Sequence, residues 1–223
     1  MRAVILAAGK GSRFRSGVPK VLLELPDGEN ILSRQVRLLR AAGLSDIVVV
    51  VGYRKELIEA HVADVEFVEN ADYATTNTAR SLLLAVEGAD DDVLWANGDL
   101  VYDEEVILNA VAATGNGVVV NRAVCGHEEV KYRLNGQGNI TAIAKDVENS
   151  AGEALGINVV KNESLGSLAE ALRACGDMDY FERAMEMMIE RGAEFKPLDV
   201  SAYRCIEIDF EQDWQKALEL FAR

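Results

Sequence analysis

The chain has 223 residues, with 23 Lys plus Arg against 37 Asp plus Glu and a formal net charge of −14. That length supports one sizeable α/β core, alone or with a small accessory lobe. The acidity argues against nonspecific nucleic-acid binding and against docking on an anionic membrane.

Residues 1–6 read as a short apolar strand that ends at Ala7-Ala8-Gly9, passes through Lys10-Gly11-Ser12-Arg13 and closes on Pro19-Lys20. Small residues let a bulky anion sit against the backbone, whose N–H groups can face it. Arg13 and Lys20 add fixed positive charge to an otherwise acidic protein. The dinucleotide fingerprint needs a third glycine where Phe14 stands. The P-loop needs Gly-Lys-Ser/Thr, whereas Gly9-Lys10 is followed by Gly11.

A turn at Pro26-Asp27-Gly28 follows an extended segment over 21–25. The periodicity predicts a helix over 31–42, ended by Gly43. Residues 46–51 (DIVVVV) read as a strand buried on both faces. A second helix is expected to about residue 62 and a strand over 65–68. The polar loop 70–77 feeds a helix over 79–86, and an apolar strand over 92–96 stops at Asn97-Gly98-Asp99. A helix over 104–113 and a strand over 117–121 complete an alternation that predicts a doubly wound, mostly parallel sheet. Ligands collect at the carboxyl ends of such strands, so the loops at 7–13, 70–77 and 97–99 are expected to meet at one rim.

Beyond residue 122 the pattern predicts a hairpin, with strands over 130–134 and 139–143. A strand over 154–160, helices over 164–175 and 179–191, strands over 195–200 and 205–209 and a helix over 211–221 complete the chain. One domain over 1–223 is expected. Residues 1–121 form its nucleotide half, 122–205 an elaboration over the sheet edge that takes the acceptor, and 206–223 a final aspartate and helix.

Cys125, Cys175 and Cys205 fit neither a disulfide framework nor paired metal spacing, and with only His61 and His127 a zinc site is not expected. The apolar run at 4–8 is too short for a secretion signal, and no segment has transmembrane length. A cytoplasmic location is the expectation.

LAAGKGSR with Pro19-Lys20 resembles the signature of nucleotidyltransferases that join an NTP to a phosphorylated small molecule. Asn70, Tyr73, Thr76-Asn77 and Ser81-Leu82 resemble a segment of the cytidylyltransferases acting on phosphocholine, 2-aminoethylphosphonate and inositol phosphate. Asn97-Gly98-Asp99 and Ile206-Glu207-Ile208-Asp209 match that family's two metal-binding aspartate sites. The resemblance implies a Rossmann-like, MobA-like nucleotidyltransferase fold with a small acceptor-binding lobe, using CTP and Mg2+ as a monomer or homodimer. It places Arg13 on the β- or γ-phosphate, Lys20 near the α-phosphate and Lys145 on the acceptor phosphate.

Leu6, Ala7, Ala8, Gly9, Gly11, Ser12, Asn77, Ser81 and Gly98 would hold the nucleotide, and Asp99 and Asp209 the metal. Glu207 and Asp213 are rival ligands to Asp209. Asn77 and Thr78 also read as a helix cap, as does Asp103. The acceptor would meet residues among Tyr132, Tyr180, Phe181 and Tyr203, with Glu129, Glu153, Asp179 and Glu182. A sugar 1-phosphate or inositol-phosphate nucleotidyltransferase is one alternative, and a non-catalytic nucleotide sensor another.

Overall fold

A computed structural model of the chain describes residues 1–11, 14 and 17–222. The central sheet is built on β1 (Arg2–Leu6), flanked in parallel by β2 (Asp46–Val51) and β4 (Val93–Asn97), with β3 (Glu66–Glu69) outside β2. On the other side of β4 come β9 (Gly152–Val160), β6 (Gly117–Asn121) and β10 (Lys196–Asp199), giving the order β10-β6-β9-β4-β1-β2-β3. β9 runs antiparallel to both its neighbours, and β10 pairs in parallel with β6. The result is a mixed α/β fold with a mostly parallel central sheet.

Period-2 alternation sorts the strand side chains onto two faces. Val4, Val48, Val50, Val93 and Trp95 pack with α3 (Thr78–Val86), α5 (Asn162–Ala174) and α6 (Phe181–Glu190). Ala3, Ile5, Ile47, Val49 and Leu94 pack on the opposite face with α1 (Ile31–Ala41) and α4 (Glu104–Val111). Trp95 meets Phe181 edge-on, with ring centroids 5.6 Å apart. The side chain of Asn30 caps α1 by accepting from the Ser33 N–H at 2.8 Å. α2 (Lys55–Glu59) is shorter than its sequence suggests.

Three features depart from the sequence reading. Residues 21–25 begin as a 3-10 helix, Lys20–Leu22, rather than as extended chain. The 122–205 segment is not confined to the sheet edge, because β9 enters its middle. β9 is buried at eight of its nine positions, and a strand buried on both faces and hydrogen-bonded on both sides belongs inside a sheet. The hairpin of β7 (Lys131–Leu134) and β8 (Ile140–Ala144) pairs through β7 with β9.

The third feature is a short strand, β5 (Leu100–Tyr102), that pairs antiparallel with β11 (Cys205–Glu207). α7 (Glu211–Leu220) covers this ribbon through Trp214 and Ala217, which cluster with Val101, Ile208 and Phe221.

Candidate functional site

The carboxyl ends of β1 and β4 open into a cavity of about 530 Å3. Leu6, Ala7, Gly9 and Gly11 form one wall, with Lys20, Asn77, Asn97 and Asp99 beside them. Gly11 has φ +59°, a conformation L side chains rarely adopt, and an added Cβ there would press on the Lys20 stem at 3.1 Å. Gly98 is needed for a different reason. Its N–H donates to the Leu6 carbonyl at 2.9 Å, and a Cβ there would lie 2.7 Å from that same oxygen. Glycine thus lets the end of β4 lie directly against the end of β1.

The ribbon brings together two residues 110 positions apart. Leu100 lies opposite Glu207, and the Ile208 N–H donates to the Asp99 carbonyl at 3.0 Å. Asp99 and Asp209 therefore converge. The Lys20 ammonium lies between them, donating to Asp99 Oδ2 at 3.1 Å and to Asp209 Oδ1 at 3.0 Å. Burial alone would lower the Lys20 pKa, but the two carboxylates outweigh it and hold the ammonium above its ordinary value. Glu207 completes the cluster: its Oε1 accepts from Asn97 Nδ2 at 3.0 Å. Burial, then the charges of Asp99 and Asp209, push its pKa well above the ordinary carboxylate range.

The opposite wall comes from the second half of the chain and includes Lys145, Glu153, Tyr180 and Glu182. Lys145 Nζ lies 3.4 Å from Glu128 Oε2 and 5.9 Å from the Tyr180 ring centroid. Glu153 accepts from Asn121 Nδ2 at 2.8 Å, and burial raises its pKa. Burial drives Glu182 further, to about 7.

Asn77 joins the two walls. Its side chain caps α3 by accepting from the Thr78 N–H at 2.9 Å, and its Nδ2 donates to the Met178 carbonyl. The Asn77 N–H donates to the Asp177 carbonyl at 2.8 Å, and the Phe181 N–H donates to Thr78 Oγ1 at 3.1 Å. The start of α6 is in this way fixed to the start of α3.

Several expected contacts lie elsewhere. Ser81 is buried beneath the loop and accepts from Asn70 Nδ2 at 3.0 Å, so its hydroxyl braces the 70–77 turn rather than lining the cavity. Tyr132 is a core residue, 2% exposed, because its strand position points into the sheet–helix interface. Glu129 and Tyr203 stand outside the cavity lining, as do Ala8 and Gly98. Arg13 and Ser12 lie outside the described residues. Asp103 occupies the N-terminal cap position of α4, but its carboxylate is taken by Arg204 at 2.7 Å instead of by the helix N–H groups. Glu207, the rival to Asp209 in the sequence, lines the cavity, as does Glu182, one of the second-half acids that the sequence offers to the acceptor.

Asp99 and Asp209 are hard oxygen donors on one point, a set that suits a hydrated divalent cation completed by phosphate oxygens. Among the described residues no group of three or more His, Cys, Asp or Glu side chains is arranged to hold a metal ion alone. No described helix is long and apolar enough to cross a membrane. Cys205 is half-buried, and its enclosure pushes the thiol pKa up and away from nucleophilic use.

Known proteins resemble this chain in fold and in sequence. The inositol-1-phosphate CTP transferase of T. maritima superposes with a TM-score of 0.83 at 20% identity, covering 99% of this chain and 94% of its own. The CTP:phosphocholine cytidylyltransferase of Streptococcus pneumoniae gives 0.81 at 22% identity, with 98% of each chain covered. Among curated sequences, the CMP-5'-(3-aminopropyl)phosphonate synthase of Streptomyces rubellomurinus is 29% identical over 97% of this chain, and the bifunctional IPC transferase and DIPP synthase of Rubrobacter xylanophilus 30% identical over 98%. The chain spans 38% and 51% of the length of those two relatives. Residues 3–131 match the MobA-like NTP transferase domain, and with more than half its length in that match the chain belongs to this family.

Proposed function

We propose that this protein is a divalent-metal-dependent cytidylyltransferase that transfers CMP from CTP to a small phosphate or phosphonate acceptor. One observation carries the reading: Lys20, Asp99 and Asp209 meet at 3.0–3.1 Å beside the 7–11 loop, in the cavity that Lys145 enters from the far side. The relatives and the two superposed enzymes support CTP as the donor.

In the reaction an acceptor oxygen forms a bond to the α-phosphorus. The α–β P–O bond breaks, and pyrophosphate leaves with the electron pair. The acceptor oxygen is already anionic near pH 7, so neither a general base nor a covalent protein intermediate is needed. The barrier lies in bringing two anions together and in holding charge as the leaving group forms. Asp99 and Asp209 would hold a Mg2+ ion, which would supply neutralisation of phosphate charge. Lys20 stabilises the α-phosphate, and Arg13 the β- and γ-phosphates. The backbone of 7–11 and the Asn77 side chain orient the base. Lys145 positions the acceptor anion against its repulsion by the triphosphate.

The test is a pyrophosphate-release matrix with Mg2+, four NTPs and a panel of acceptors. The panel holds phosphocholine, phosphoethanolamine, 2-aminoethylphosphonate, inositol phosphate and hexose 1-phosphates. CTP is expected to be used in preference to the other three. Tight nucleotide binding without pyrophosphate from any pair would instead indicate a sensor.

A further inference from the structure

The far wall of the cavity carries more acid than a site for two anions needs. With Asp99 and Asp209 assigned to a cation, most of the remaining carboxylates there already have donors. Glu128 has Lys145, Glu153 has Asn121, Asp179 accepts from the Gly176 N–H, and Glu186 accepts from Arg183.

Glu182 is different. It lines the cavity, yet its Oε2 is buried and has no hydrogen-bond partner among the described residues. A carboxylate oxygen removed from water without a donor is unfavourable until something supplies one. Its strongest cationic influence is Lys145, which remains with Glu128 and Tyr180. The far wall thus places an anion-binding group and a carboxyl with one unsatisfied oxygen within electrostatic reach of each other.

We infer that Glu182 receives a protonated primary amine of the acceptor, and that the acceptor is a compact zwitterion whose phosphate or phosphonate faces Lys145. The inference rests on the nucleotidyl-transfer reading above and narrows its acceptor. A primary ammonium supplies both the missing donor and the compensating charge. A quaternary ammonium has charge but no N–H to give. A polyol hydroxyl has a proton to give but leaves the carboxylate charge uncompensated.

The test compares 2-aminoethylphosphonate with propylphosphonate, which replaces the amine by a methyl group, and with phosphocholine. Initial rates of pyrophosphate release with CTP and Mg2+ are measured on the intact chain and on Glu182→Gln. The native protein is expected to favour the amine over both others by about 10- to 100-fold in kcat/KM, the worth of a charge-assisted hydrogen bond. Glu182→Gln should lose that preference mainly through a raised acceptor KM for 2-aminoethylphosphonate. Calorimetric titration of 2-aminoethylphosphonate and propylphosphonate into each protein asks the same question without turnover.

Equal use or equal binding of the two phosphonates by the native protein would overturn the inference while leaving nucleotidyl transfer intact. So would an unchanged amine preference in Glu182→Gln. Selective, Glu182-dependent amine binding without pyrophosphate from any NTP would instead remove the transferase reading and keep the amine site.

Discussion

At the residue scale, Lys20 and its two aspartates dominate. Asp99→Asn keeps the side-chain shape but removes one anionic ligand, and turnover is expected to fall about 100-fold or more with CTP and Mg2+. Unchanged turnover would remove Asp99 from the metal set. Lys20→Met should also lose turnover, and it leaves Asp99, Asp209 and Glu207 facing one another without their ammonium. Loss of one partner from a mostly buried ion pair predicts destabilisation of about 1–3 kcal/mol, readable by urea unfolding in metal-free buffer.

Glu182 adds a pH dependence whose sign follows from its raised pKa. Burial lifts it from 4.5 to about 7, so between those values the folded protein holds a proton that the unfolded chain has released. Stability therefore falls as pH rises from about 4.5 through 7, by up to about 3 kcal/mol from this group. Glu182→Gln should flatten that slope and unfold at higher urea than the native protein at pH 8. A slope identical in both proteins would mean that Glu182 titrates normally.

At the scale of elements, the β5–β11 ribbon assembles the site. It is also what the sequence concealed. Leu100-Val101-Tyr102 sits between a turn aspartate and a helix start, too short for alternation to mark it as a strand. The long apolar strands were readable because burial on both faces demands continuous Val and Ile, as in DIVVVV. β9 was readable as a strand but not as an antiparallel insertion, since direction leaves no trace in its composition.

Asp99 and Asp209 were nameable from their motifs, whereas their closeness needed the ribbon. Ser81 and Tyr132 were misplaced because a polar or aromatic residue near a motif does not reveal which way its helix or strand turns it. Gly98→Ala tests the contact between β1 and β4 directly. Its Cβ would face a backbone oxygen, which cannot rotate away. Destabilisation of about 1–3 kcal/mol and at least a tenfold rise in the CTP KM are expected. A variant as stable and active as the native protein would show that the two strand ends can separate freely.

For the whole molecule, a formal charge of −14 surrounds a site that, in the proposed reaction, must admit two anions. Long-range repulsion slows their arrival, and salt screens charges more than about 10 Å apart. Raising KCl from about 10 to about 150 mM at fixed free Mg2+ should therefore increase kcat/KM for CTP. A fall with salt would mean that the basic loop at 10–20 dominates the field. The two faces of the sheet divide the labour. α1 and α4 pack only on one of them, while α3, α5 and α6 on the other carry both the Asn77 cap and part of the far wall of the cavity.

The junction of α3 and α6 sets a rule for exchanging parts between relatives. Asn77, Thr78 and Ala79 reach residues 177–181 through four bonds: Asn77 N–H to Asp177, Asn77 Nδ2 to Met178, Ala79 N–H to Asp179, and Phe181 N–H to Thr78. A graft that imported a 176–186 segment with a different backbone path, while keeping residues 77–79, would sever these main-chain bonds and disturb the start of α3 as well. The two segments form one cassette, separated by about a hundred residues of chain yet transferable only together.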